Sequence, residues 1–195
     1  MNIALTRAAD DLPRRAFTVD DIRRMVEAGV LGEDERFELI EGEIVVMSAK
    51  GYAHDYIKNT LTLAIARALP DNLMMGVEMT VQFADDTILE PDIAVFARNL
   101  LIKSDANFSH ISPGGLLLAI EVAASSLAYD KGLKARLYAR HHVQEFWVVD
   151  ANERVTWIHT GPEGDGWASI AGRGPRETLT TTALPNFSIS LGKIE

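Results

Sequence analysis

No cysteine occurs among the 195 residues. That absence excludes a disulfide scaffold, a thiol nucleophile and a Cys-ligated zinc site. It also agrees with a reducing compartment, and a cytoplasmic location is the expectation. Long apolar runs are missing as well. A membrane-spanning helix needs about 20 mostly apolar residues. The densest runs here, Leu116–Ile120 and Phe146–Val149, are strand-sized and lead straight into Glu121 and Asp150. The N-terminus carries Arg7, Asp10, Asp11, Arg14 and Arg15 without the apolar stretch of a signal peptide. Positive charge is scarce: 19 basic residues face 28 acidic ones, a formal charge of −9. Tight nonspecific nucleic-acid binding normally draws on several Lys and Arg contacts to phosphate. Any such surface must therefore be local. The one modest basic cluster, Lys131, Lys134, Arg136, Arg140, His141 and His142, reads equally well as a solvated helix face.

Several motifs are absent too. No His-Glu-x-x-His element supports a zinc hydrolase, and no phosphate-cradling Gly-x-x-x-x-Gly-Lys loop occurs. No Gly-x-Ser-x-Gly elbow presents a serine nucleophile. No internal repeat or low-complexity stretch interrupts the chain. What remains is globular composition, 47% apolar and 24% charged. A chain of this length buries about 70% of its unfolded surface. The expected organisation is an N-terminal arm over residues 1–16 and one domain over residues 17–195.

The pattern along that domain alternates strands and helices. Thr18-Val-Asp-Asp21 is a capping-box start to a helix that runs to about Ala28, with Gly29 as its stop. Two short strands lie within Arg36–Met47, reversing at Glu41-Gly42. A helix over residues 54–69 carries Ile57, Leu61, Ala64, Ile65 and Leu69 on one side and ends at Pro70. Gly76–Phe83 and Ile88–Phe96 form an antiparallel pair around Ala84-Asp85-Asp86-Thr87. Residues 97–114 are a loop with room for one short helix. Leu116–Val122 is a strand buried on both faces. Ser125–His141 is a helix with Leu127, Leu133, Leu137 and Tyr138 inward, and Glu145–Asp150 is a second buried strand parallel to the first. Val155–His159 and Trp167–Ala171 make a hairpin with a long loop, and a last edge strand lies near Glu177–Thr181.

Acid inside apolar strands is the informative feature. Asp92 lies in Ile88-Leu-Glu-Pro-Asp-Ile-Ala-Val-Phe96, and Glu121 lies in Leu116-Leu-Leu-Ala-Ile-Glu-Val122. A lone buried carboxylate costs several kcal/mol unless it is neutralised or paired. A divalent cation compensates well, and Mg²⁺ favours carboxylates and water. Two strand-end acids on neighbouring strands therefore make a natural clamp. Each acid alone serves equally as a solvated edge residue or a loop cap. Glu38, between Phe37 and Leu39, is a further candidate. Lys134 follows on the next helix, where it can orient a water or stabilise charge on a phosphate. It stands four residues from Asp130, so a surface ion pair is the plain alternative. His54 opens a helix after Gly51, where it can meet a phosphate or simply cap. Trp147, Trp157 and Trp167 sit on strands as core or interface residues.

Together these residues resemble the Uma-two family of restriction endonuclease-like proteins, within the PD-(D/E)XK nuclease superfamily. The likeness runs from about Phe17 to Asp150. It rests on Phe37-Glu-Leu-Ile-Glu-Gly-Glu-Ile44, His54, Glu90-Pro-Asp-Ile93, Ile120-Glu-Val122, Asp130-x-x-x-Lys134 with Tyr138, and Val143-Gln-Glu-Phe-Trp-Val-Val-Asp150. The resemblance implies a restriction-endonuclease-like α+β fold, a mixed sheet flanked by helices. It implies Asp92 and Glu121 as ligands of Mg²⁺ or Mn²⁺, Glu38 as an additional acid, and His54, Asp130 and Tyr138 as supporting or phosphate-facing groups. In the superfamily's basic pattern the lysine stands two residues after the second acid. Here that position is Ala123, so the matching lysine is Lys134. Phosphodiester hydrolysis in DNA by a homodimer is the implied activity, with no membrane partner and no organic cofactor. A catalytically silent binding or assembly module on the same fold is the competing reading.

Overall fold

The structure, a computed structural model, describes residues 5–7, 13–32, 35–47, 49–103, 108–111 and 114–193. Its described residues form two compact units. The first gathers Met1–Ala49, Thr80–Glu90 and Ile102–His110; the second gathers Lys50–Met79, Pro91–Leu101 and Ile111–Glu195.

In the first unit, β1 (Leu5–Arg7) and β2 (Pro13–Arg15) pair antiparallel. They fall in the expected arm, of which residues 1–4 and 8–12 lie outside the described residues. Helix α1 (Val19–Glu27) begins as its sequence dictates: the Thr18 hydroxyl accepts the Asp21 amide, and the Asp21 carboxylate accepts the Thr18 amide. Gly29, at φ 69°, ends it. Strands β3 (Phe37–Ile40) and β4 (Glu43–Val46) reverse at Glu41 and Gly42, both with positive φ. A Cβ at Gly42 would also strike Ala16 at 2.6 Å, so only glycine fits there. With β6 (Val81–Ala84), β7 (Thr87–Leu89), β9 (Leu101–Lys103) and β10 (Ser109–Ile111) they build a sheet ordered β4-β3-β7-β6-β10-β9. Val19, Ile22, Leu39 and Ile88 form its core.

The second unit is built on helix α2 (Tyr52–Ala68) and a mixed sheet ordered β14-β13-β12-β11-β8-β5. Its strands are β5 (Leu73–Val77), β8 (Ile93–Ala97), β11 (Leu116–Ala123), β12 (Glu145–Asp150), β13 (Thr156–Glu163) and β14 (Gly166–Arg173). Strands β11 and β12 run parallel, as the strand–helix–strand pattern requires, and the remaining neighbours are antiparallel. Between β11 and β12 lie α3 (Leu127–Tyr129), a π-helical segment over Asp130–Lys134, and α4 (Ala135–Arg140). Along β11, Leu118, Ile120 and Val122 pack with Ile57, Leu61 and Ile65 of α2 and with Leu179, Leu184 and Phe187 of the C-terminal tail. Alternation sends Glu121 to the other face, toward α4.

Five local expectations change. The two long strands of the antiparallel pair are each cut in two, giving β5 with β6 and β7 with β8. Glu78 adopts φ 50°, which an extended strand cannot hold, and Pro91 has no amide to donate to a ladder. The helix of residues 125–141 keeps Leu137 and Tyr138 inward, but Leu127 and Leu133 are only half-buried, whereas Asp130 and Lys134 are buried. The wider π turn changes the phase of the inward face. The tail hairpin turns tightly at Gly164-Asp165 instead of through a long loop. Pairing of β13 with β12 stops at Thr160, so Pro162 removes no hydrogen bond there. The last edge strand reduces to one bridge, Leu179 with Ile189. Among its described residues the segment 97–114 holds one 3₁₀ turn, Arg98–Leu100, and the two short strands β9 and β10; residues 104–107 and 112–113 lie outside the described residues.

Candidate active site

Glu121 is carried on β11, deep in the second unit and 4% exposed. Its Oε1 accepts hydrogen bonds from the Lys134 ammonium at 2.9 Å and the Tyr138 hydroxyl at 2.7 Å. Lys134 and Tyr138 are four apart on one helical run, so both reach the same acid. Lys134 therefore turns inward rather than lying on a surface, and the basic cluster of residues 131–142 is not one face. Lys131 sits over the Trp157 ring, and Arg140 pairs with Asp165. Asp130 is buried and accepts the Ser126 hydroxyl at 2.6 Å.

Asp92 stands just before β8, where strand alternation no longer governs its side chain. Its Oδ2 accepts the Val122 amide at 2.8 Å, which lays the carboxylate along β11 beside the residue that follows Glu121. The His54 Nε2 lies 3.0 Å from Oδ1 and 3.1 Å from Oδ2, and the Lys50 ammonium donates to Oδ1 at 2.7 Å. Lys50 also bonds Glu78, whose Oε1 takes a second ammonium, Lys58, at 2.7 Å. His54 and Lys58 share one face of α2, one turn apart, with Ile57 and Leu61 beside them. The two carboxylates have different partners: Lys134 and Tyr138 for Glu121, and Lys50, His54 and the Val122 amide for Asp92.

Glu38 is placed in the first unit. It is buried, and its Oε1 accepts the Glu90 amide at 3.0 Å. A cavity of about 1330 Å³ also lies in that unit, lined by residues that include Arg23, Arg36, Gln82 and His110. Arg23 is engaged with Asp20 and Glu27, and Arg36 with Glu90. Neither Asp92 nor Glu121 lines it.

Lys50, Lys58 and Glu78 escaped the sequence reading. The spacing His54-x-x-x-Lys58 was a usable signal, because it puts both residues on one helix face. Lys50 and Glu78 lie outside regular elements, and only the folded chain brings them to Asp92.

Charge is balanced locally. Burial acts to raise the pKa of Asp92, but the His54 hydrogen bond and the Lys50 charge outweigh it and hold the acid at about 2. Burial likewise opposes ionisation of Glu78, and its hydrogen bonds to Lys50 and Lys58 bring it to about 2. Both values lie below the ordinary 3.8 and 4.5. The two acids therefore stabilise the fold above pH 4.5, and that contribution is lost as pH falls toward 2. Denaturant titrations in EDTA should show stability falling through that window, and less steeply in Lys50→Met. Equal slopes in the two proteins would contradict the ion-pair account.

As to a metal ion, the donor set is oxygen-rich, with two carboxylates, one imidazole and no sulfur. Among the described residues no group of three or more His, Asp or Glu side chains is arranged to cage an ion. The donor chemistry, carboxylate oxygens and an imidazole without sulfur, fits a hard divalent cation.

The model of the Uma2 family, described as "Putative restriction endonuclease", matches residues 19–192. The chain belongs to the Uma2 family. Among solved structures it is similar to one described as a "putative nuclease belonging to DUF820 from Anabaena variabilis ATCC 29413". That likeness covers 91% of this chain and 97% of the other, with a TM-score of 0.69 at 18% sequence identity. At that identity it establishes the nuclease fold, in agreement with the mixed sheet and flanking helices. No curated protein matches the chain. No described helix of this Uma2 protein is long and apolar enough to cross a membrane.

Proposed function

We propose that this protein is a divalent-metal-dependent endonuclease that hydrolyses phosphodiester bonds in DNA. Two observations support the reading: Asp92 accepts the amide of Val122, the residue next to Glu121 on β11, and the Lys134 ammonium lies on Glu121. In this reading Asp92 and Glu121 hold a Mg²⁺ or Mn²⁺ ion. Such an ion supplies Lewis acidity toward a phosphate oxygen and acidifies water. The protein's own groups supply orientation and charge. Tyr138 and Lys134 fix the Glu121 carboxylate, and His54 and the Val122 amide fix Asp92. The Lys134 ammonium offsets negative charge that develops on the phosphate. Asp130 supports the helical segment that carries Lys134, through Ser126. Glu38 enters as an additional acid on the family resemblance, and Glu38→Gln tests it. A homodimer belongs to the same proposal, and light scattering tests that.

A second reading has its own observation. Asp92 and Glu121 each already hold an ammonium partner, so the arrangement is electrically complete as it stands. That suits a nuclease-fold binding or assembly module. Incubation of the wild-type protein with supercoiled, linear and single-stranded DNA separates the two. The nuclease reading expects strand breaks with Mg²⁺ or Mn²⁺ that EDTA abolishes, and a rise in melting temperature with Mn²⁺ through ligand linkage. No cleavage of any DNA form, with no Mn²⁺ stabilisation, would leave the module.

A further inference from the structure

Lys50 is the one cation of this group that is not carried on α2. His54 and Lys58 are fixed on α2, whereas Lys50 precedes the helix N-cap Gly51 and belongs to no regular element. Its four-carbon stem ends between two acids: 2.7 Å from Asp92 Oδ1, and in contact with Glu78 Oε1. The remaining contacts of Asp92 are the Val122 amide on Oδ2 and the His54 Nε2, which lies within 3.1 Å of both oxygens. The ammonium is the fixed charge that an ion on Oδ1 must displace, because two cations on the same carboxylate oxygen repel each other. Glu78 gives it somewhere to go. That carboxylate is also held by Lys58, so it stays neutralised whichever way Lys50 leans.

We propose that the Lys50 ammonium, held between Asp92 and Glu78, is an internal cation that competes with a divalent metal ion for Asp92 and withdraws onto Glu78 when the metal binds. The proposal rests on the reading of Asp92 as a metal ligand. It assigns Lys50 a positioning and regulating role, setting the metal concentration at which the site fills. It also assigns Glu78 the role of holding Lys50 in the filled state.

Mn²⁺ binding by isothermal calorimetry tests this without any turnover. Lys50→Gln should bind Mn²⁺ about tenfold tighter than wild type, since a charged hydrogen bond no longer has to be broken. Lys58→Gln removes the same charge without touching Asp92, and its gain should be clearly smaller. Glu78→Gln should weaken binding in the wild-type background and leave it unchanged in the Lys50→Gln background, because Glu78 acts through Lys50. A second measurement needs no variant: Mn²⁺ should change the rate at which an amine-acylating reagent labels Lys50 in the wild-type protein. Equal gains in Lys50→Gln and Lys58→Gln would reduce the effect to bulk charge and overturn the proposal. So would an unchanged Lys50→Gln affinity, or labelling insensitive to Mn²⁺. Asp92→Asn distinguishes the levels. If it abolishes binding while Lys50→Gln gains nothing, only the competition fails. If it binds Mn²⁺ as wild type does, the metal reading of Asp92 fails and the competition with it.

Discussion

Lys134→Met should lower folding stability by about 3–5 kcal/mol, the cost of leaving one partner of a buried ion pair uncompensated. The Lys134 and Glu121 side chains are only 4% and 6% exposed, so water cannot replace the missing ammonium. Methionine fills similar space, which confines the loss to charge. Adding Glu121→Gln should recover most of the stability, because Tyr138 can still donate to the amide oxygen and no charge remains. Denaturant midpoints of the single and double variants measure this. A single variant as stable as wild type would mean that Glu121 does not depend on Lys134. The same pair tests the catalytic reading. Under the proposed function, the double variant folds yet no longer cleaves DNA. A stable double variant that cleaves normally would remove both residues from the active site.

Glu145→Ala should cost about 3 kcal/mol, by orphaning donors that now converge on one buried carboxylate. Trp147 Nε1 donates to Oε1 at 2.6 Å, while the Thr181 hydroxyl, the Thr182 amide and the Thr182 hydroxyl reach Oε2 at 3.0, 3.2 and 3.0 Å. The acid thereby ties β12 to the tail, whose Leu179, Leu184 and Phe187 complete the core against α2. The expected result is a lower melting temperature with altered tryptophan emission. An unchanged melting temperature would show that the apolar contacts hold the tail unaided. Glu145 is thus an acid in an apolar strand whose compensation is entirely internal. Its burial, unlike that of Glu121 between Ile120 and Val122, had no apolar bracket in the sequence to announce it.

That comparison shows where sequence reading stops. Asp92 and Glu121 were visible as acids because apolar strand residues surround them, whereas Glu145 follows Gln144 and was not marked out. The partners of these acids were not visible, because Thr181 and Thr182 lie 36 and 37 residues from Glu145, and Lys50 lies 42 from Asp92. The cut in the long hairpin arms was half visible, in Pro91. Its other half, the left-handed Glu78, had no glycine or asparagine to announce it. The inward turn of Lys134 was consistent with its i, i+3, i+4 spacing to Leu137 and Tyr138, but a lysine's charge gave no reason to bury it until Glu121 was placed opposite.

Local chemistry determined a good deal by itself. The Thr18–Asp21 capping box, the Glu41-Gly42 reversal, the parallel β11–β12 pair and the family motifs all follow from residues close in the chain. Hydrogen bonds and backbone torsions over a few residues leave few alternatives. Tertiary structure alone decided which charges meet. A buried ammonium takes whichever carboxylate the packing offers, and the strength of that choice grows as water is excluded. So the sequence named Asp92 and Glu121, and the fold supplied Lys50, Glu78 and the direction of Lys134.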